Sequence, residues 1–241
     1  MKYVVLIAMF LEMAFAVQLT PMAQKITSAK NRNVVFDVIN SEKRLAASEF
    51  EVLRITGHTA DGKEVREDTD NVVIYPPQFI IKAQAAKKVR VSYRKKTLPK
   101  QQEVYRVISR ELPIKVEEKK ADEKLKAGVK FLFTYEGLLF VGGDQKISAL
   151  DVALKSNKKD SVEFNVKNLG NMSEFVSATS YKMVLKTSKG NVTLDKSHFG
   201  KFNGLRLLPN ETFVFKVSKI NKLKGAKVTG VTLTKQSSSK K

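Results

Sequence analysis

Apolar and polar positions alternate in short runs along almost the whole chain, and residues that favour turns close each run. Residues 34–39, 49–55, 72–75, 88–93, 103–110 and 129–135 form a first set, separated by turns at Ser41-Glu42, Asp61-Gly62 and Pro76-Pro77. A second set follows Gly142-Gly143 and covers 150–154, 161–167, 181–187, 193–194, 211–217 and 228–234. Its turns are Asn168-Leu169-Gly170-Asn171, Lys189-Gly190 and Pro209-Asn210. A two-residue period is what a strand needs when one face is buried. No segment of helical length carries the 3.6-residue period; 115–126 has a helix-forming composition but little apolar periodicity, and is expected to be a mobile charged loop. The pattern predicts an all-β protein with two sandwich domains, 17–141 and 144–235, a hinge at Gly142-Gly143, and a disordered Ser/Lys tail over 236–241.

One run differs from the others. Val129, Phe131, Phe133 and Tyr135 alternate with Lys130, Leu132 and Thr134, and the alternation continues backward through Leu125 and Ala127 into a stretch too polar for ordinary core. A strand whose apolar row overruns its own domain is a candidate for completing another structure.

Residues 1–16 read as an export signal: Lys2 supplies the charged start, residues 4–11 the apolar run, and Ala14-Phe15-Ala16 a small-x-small cleavage site. The apolar run is far shorter than the roughly 20 residues of a spanning helix. The mature chain is expected to begin at Val17 and to carry no integral membrane segment. It has no cysteine, so an exported form is stabilised by its core without disulfides, and a thiol nucleophile is excluded.

Lys and Arg number 44 against 24 Asp and Glu, a net charge of +20. Such an excess suits anionic partners, or equally a lysine-rich solvated surface. Lys155, Lys167, Lys182, Lys186 and Lys216 are spread along strands, and no recognition helix or aromatic-basic motif accompanies them, which argues against nucleic acid. Two histidines, His58 and His198, lie beside turns outside any catalytic spacing and are expected to be exposed. Glycine-rich phosphate loops and acidic calcium loops are missing. The chain is therefore expected to be no enzyme and to use neither metal nor cofactor.

The segments Asn71-Val-Val-Ile-Tyr-Pro-Pro-Gln-Phe79, Lys88-Val-Arg-Val-Ser-Tyr93, Gln102-Glu-Val-Tyr-Arg-Val107 and Glu111-Leu-Pro113 together resemble the periplasmic chaperones of fimbrial chaperone-usher pathways. Gly128-Val-Lys-Phe-Leu-Phe-Thr-Tyr135 is similar to the long last strand of their first domain; Val166-Lys-Asn-Leu-Gly-Asn171 and Leu207-Leu-Pro-Asn210 agree more loosely with their second. Within the family the pattern is most like the archaic branch. The resemblance implies two immunoglobulin-like sandwiches set as an L or boomerang, periplasmic location, pilin subunits and an outer-membrane usher as partners, and subunit binding by donor-strand complementation. It assigns Leu125, Ala127, Val129, Phe131 and Phe133 to the donor row. Lys130 matches one of the two basic anchors for the subunit's C-terminal carboxylate; the other is expected at Gln24, where Lys25 is the adjacent cation. Ahead of the donor row the chain has Val116 and then Glu117-Glu-Lys-Lys-Ala-Asp-Glu-Lys124, so either the donated strand is short or the groove it fills is shallow and partly polar. The free chain could cap its exposed row by self-association. The competing reading is a structural or adhesive secreted sandwich protein whose basic face binds anionic cell-envelope polymer.

Overall fold

The computed structural model describes residues 17–114, 131–143, 149–158, 161–218, 223 and 225–236. The segments expected to be an export signal and a charged loop lie outside them, as does the expected 236–241 tail except for Gln236, whose N–H donates to Ser180 O at 2.8 Å. The chain forms two compact units: residues 1–53, 68–96 and 105–140 make the first, and 54–67, 97–104 and 141–241 the second.

The first unit draws on ten strands: β1 Val17–Thr20, β2 Ala23–Ile26, β3 Asn33–Asn40, β4 Ala46–His58, β5 Glu64–Asp68, β6 Val72–Tyr75, β7 Gln78–Ile81, β8 Ala85–Tyr93, β9 Glu103–Leu112 and β10 Thr134–Val141. They make one sheet in the order β1-β3-β8-β6 and another in the order β2-β10-β9-β4-β5, with β7 also paired to β4. The far half of β4 and most of β5 belong to the second unit. Alternation fills the space between the sheets. Phe36 and Val38 of β3, Val89 and Val91 of β8, and Tyr105 and Val107 of β9 are all fully buried. On β10, a Cβ built at Gly137 would lie 3.3 Å from both Leu19 and Phe36, so the glycine lets that strand approach the opposite sheet without pushing either side chain aside.

The second unit adds β11 Leu150–Asn157, β12 Ser161–Asn168, β13 Glu174–Val176, β14 Tyr181–Thr187, β15 Gly190–Leu194, a one-turn helix α1 over Lys196–Phe199, β16 Leu205–Leu207, β17 Thr212–Ser218 and β18 Val228–Lys235. Sheets β11-β12-β17 and β15-β14-β18 cover one core, with β13-β16 as a short pair. The antiparallel register sets Val162 opposite Val217, Phe164 opposite Phe215 and Val166 opposite Phe213, so each strand's apolar row meets the other's. Phe199 and Phe202 close over them, with the rings of Phe202 and Phe215 4.8 Å apart.

A buried asparagine ends one core strand in each unit. Asn40, 1% exposed, donates to the carbonyls of Arg44 (2.8 Å) and Lys82 (3.0 Å) and accepts from Glu42 N–H (3.0 Å), which shapes the turn after β3. Asn168 donates to the carbonyls of Met172 (2.7 Å) and Leu207 (3.1 Å) and accepts from Gly170 N–H (2.9 Å) after β12. A side-chain amide satisfies the backbone groups that a turn leaves unpaired inside the protein.

Three expectations change. The strand expected over 129–135 begins, among the described residues, at Thr134, and residues 131–133 are irregular. Its neighbour β9 ends at Leu112, and Pro113 has no N–H with which to extend the ladder. The expected exposure of the histidines also fails: the His58 side chain is 3% exposed and its Nδ1 lies 2.9 Å from Glu211 Oε1, while the His198 ring, 17% exposed, folds back on Asp195. Finally, β1, β2, β5, β7, β13 and β16 escaped the sequence pattern; strands of three to five residues hold few alternations, and of these only β6 and the end of β15 registered.

Gly142 and Gly143 both have positive φ, +81° and +70°. A Cβ at Gly142 would come within 2.3 Å of the Pro99 carbonyl oxygen. Gly142→Ala should destabilise the protein by about 2 to 3 kcal/mol through left-handed strain and this contact. The urea unfolding midpoint measures it; a midpoint equal to the parent's would mean that the backbone shifts freely there.

Candidate functional site

The odd-numbered row of β10 starts in the core and leaves it. Leu139 is fully buried and Gly137 is buried; Tyr135 and Phe133 are half-buried; Phe131 is 70% exposed. Leu132, on the other side, is 45% exposed. An isolated exposed apolar residue needs no explanation, but a large aromatic that continues a buried row past the end of its own ladder, and stands mostly in solvent, marks a surface built for something else.

At the point of departure the chain is held by β9. Glu111 N–H donates to Phe133 O at 2.9 Å, and Phe133 N–H points at Glu111 Oε2 at 3.5 Å. The Glu111 side chain is 2% exposed, and its other oxygen lies 3.8 Å from Arg44 Nη2. Arg44 also pairs with Glu42 in the turn that Asn40 shapes. The hydrogen bond that Arg44 donates to Glu42, then the Glu42 and Glu111 charges, hold the guanidinium above its ordinary pKa in spite of partial burial. Burial first, and the Glu111 carboxylate second, push the Tyr135 phenol up. In the sequence Glu111 stands only as part of a motif; that its carboxylate is buried and aimed at Phe133 depends on a pairing 22 residues away.

Of the donor residues, Phe131 and Phe133 are placed as above; Leu125, Ala127 and Val129, and the anchor Lys130, lie outside the described residues. Lys25 is exposed on β2, between Gln24, whose amide donates to Val35 O at 2.8 Å, and the buried Ile26. Its strand adjoins β10, whose Leu138 N–H is held by Met22 O at 2.9 Å.

The arrangement nearest to catalytic chemistry is Asp195, Ser197 and His198. His198 Nδ1 contacts Asp195 at 2.5 Å and Ser197 Oγ at 3.3 Å, so one ring nitrogen faces both groups, whereas a relay needs one nitrogen for each. Asp195 also accepts from Ser197 N–H at 3.1 Å, which makes the cluster a helix cap. The Ser197 hydrogen bond, then His198, hold the Asp195 carboxyl below its usual range. In a cleft of the second unit the charged lining residues are paired, Arg54 with Glu103 (3.4 Å) and Glu211 with His58 behind it (2.9 Å). Among the described residues no group of acidic, histidine or cysteine side chains could hold a metal ion, and no helix is long and apolar enough to cross a membrane.

Residues 19–141 match the family of pili and flagellar-assembly chaperones through the PapD N-terminal domain. The chain belongs to this family. The match includes the Pro76-Pro77 turn, β8, β9 with Glu111-Leu112-Pro113, and all of β10. Solved structures extend the likeness of fold to most of the chain. The class 5 fimbriae chaperone CfaA is 16% identical, with 92% of this chain and 99% of that one covered at a TM-score of 0.58. A chaperone-tip adhesin complex of CFA/I fimbriae biogenesis gives 18% identity, 86% and 95% coverage and 0.56. The CsuC-CsuE chaperone-tip adhesion subunit complex of archaic Csu pili from Acinetobacter baumannii gives 18%, 85% and 88%, and 0.54. No curated protein matches the sequence. This pilus chaperone is thus all-β, as the strand pattern predicted, with two immunoglobulin-like domains, as the resemblance implied.

Because Phe131 contributes little to its own core, Phe131→Asp should leave chaperone stability within about 0.5 kcal/mol of the parent. Leu139→Ala, on the same row inside the core, should cost about 2 to 5 kcal/mol. Urea unfolding of both compares them; equal losses would place Phe131 in the core.

Proposed function

We propose that this chain is a non-enzymatic periplasmic chaperone that binds pilin subunits by donor-strand complementation and delivers them to an outer-membrane usher. The observation that carries the reading is the β10 row that begins at Leu139 in the core and ends at Phe131 in solvent. Complementation of pilins by chaperones is a long-recognised form of strand addition. A subunit lacking its last strand exposes an apolar groove and a row of unpaired backbone groups, each costing about 1 to 3 kcal/mol when buried unsatisfied. A strand lent by the chaperone pairs those groups and fills the groove with alternate side chains. In this reading Phe131 and Phe133, with Leu125, Ala127 and Val129 before them, form the lent row.

Lys130 has the opposite parity, which keeps its ammonium off the donor face and free to bind the subunit's C-terminal carboxylate. Lys25, exposed on the strand beside β10, is the second cation of the pair. One charge-assisted bond to the carboxylate contributes roughly 1.5 to 3 kcal/mol and fixes the register of the added strand. The fold of the chaperone-tip adhesin complexes supports the same partner class. Free chaperone, with its aromatic row uncovered, would associate with itself until a subunit replaces the contact.

Co-expression with a secreted pilin subunit carrying an affinity tag tests the proposal. Lys130→Asp and Phe131→Asp should each lower the subunit recovered with the chaperone by about 10-fold or more, the ratio that about 1.4 kcal/mol represents. Unchanged recovery with Phe131→Asp removes the donor role. Unchanged recovery with Lys130→Asp removes the anchor.

A further inference from the structure

We propose that Glu111 is the positioning residue that sets the phase of the lent segment, an inference that rests on the donor-strand reading above. Side chains of an extended chain alternate, so a slip of one residue turns every donor to the wrong face. Within β10 the sheet prevents such a slip. Beyond it, residues 131–133 have left the regular ladder, and their phase must be set by something else.

Glu111 supplies both halves of that control. Its main chain fixes Phe133 O at 2.9 Å, and its carboxylate faces Phe133 N–H at 3.5 Å. A single residue of β9 therefore addresses both the acceptor and the donor of Phe133. The carboxylate is 2% exposed, and a buried charge persists only with compensation. Arg44, 3.8 Å away, provides it. The position of Arg44 is fixed in turn by Glu42 and by the Asn40 amide, which holds the Arg44 carbonyl at 2.8 Å. Asn40, Arg44 and Glu111 thus form one polar column from the turn after β3 to the root of the lent segment.

Glu111 acts through Phe133 and need not contact the subunit. With Phe133 locked at both its N–H and its carbonyl, the chain that precedes it enters the lent segment from a fixed point. The 3.5 Å contact is long for a hydrogen bond, which leaves room for it to shorten when a subunit strand pairs with the segment.

Amide hydrogen exchange and the tagged-subunit recovery separate this role from simple stabilisation. In Glu111→Ala the Phe133 and Thr134 amides should exchange at least about 10-fold faster while those of Val89 and Val91 keep their rates, and subunit recovery should fall several-fold. The double variant Arg44→Gln/Glu111→Gln keeps an acceptor toward Phe133 N–H and removes the buried Glu111 charge together with its part-exposed partner; it should return exchange and recovery to within about 3-fold of the parent. A purely structural ion pair predicts loss in the double variant as well, and that result overturns the proposal. It is equally overturned if Glu111→Ala leaves Phe133 exchange unchanged, or accelerates it with no effect on recovery. If Glu111→Ala fails to fold, the double variant decides alone, since failure to restore recovery then sinks the claim. Phe131→Asp in the same assay keeps the two readings apart: when it lowers recovery and Glu111→Ala does not, the donor row stands and the positioning role falls.

Discussion

Backbone pairing is the constraint on which this molecule turns. Each peptide group removed from water needs a partner, and a strand persists only where a neighbour offers one. β10 has such neighbours, β9 and β2, from Thr134 to Val141. Before Thr134, β9 has reached Leu112 and Pro113, and the ladder stops. The apolar row does not stop with it. Phe131, 70% exposed, stands where that ladder has ended, and the donor-strand proposal rests on this mismatch between row and ladder.

The polar interior of the first unit is organised around that boundary. Buried amides and carboxylates are costly unless paired: the Asn40 amide holds backbone carbonyls, and the Glu111 carboxylate has the part-exposed Arg44 guanidinium 3.8 Å away. The second unit has an equivalent asparagine, Asn168, at the equivalent place after β12, but there the nearby carboxylate serves a turn: Glu211 accepts Leu208 N–H at 2.8 Å and faces His58. Similar local devices thus serve two ends. In one unit they close a loop, and in the other they hold the root of an exposed segment.

The two units also differ in how they fill their cores. β12 and β17 oppose Phe164 to Phe215 and Val166 to Phe213, with Phe199 and Phe202 above, so aromatic volume closes the second sandwich. In the first, β10 supplies Leu139 and, through Gly137, a close approach to Leu19 and Phe36. A strand anchored this firmly at one end remains in place with its other end uncovered.

Most strands were legible because a period of two survives in any run of six or more residues: β14 was found at Tyr181–Thr187 and even the short β6 at Val72–Tyr75, each at its observed limits. The chain's own residues determined the class of fold and the poverty of catalytic groups, since these follow from local order and composition. Where β10 begins, why His58 is buried, and what Glu111 holds were decided only when distant segments met. Pro113 ends a ladder for residues that come well after it in the chain, and Glu211 covers a histidine in a different part of the sequence. Alternation is a property of neighbours along the chain, whereas pairing and burial belong to neighbours in space, and no local pattern records which these will be.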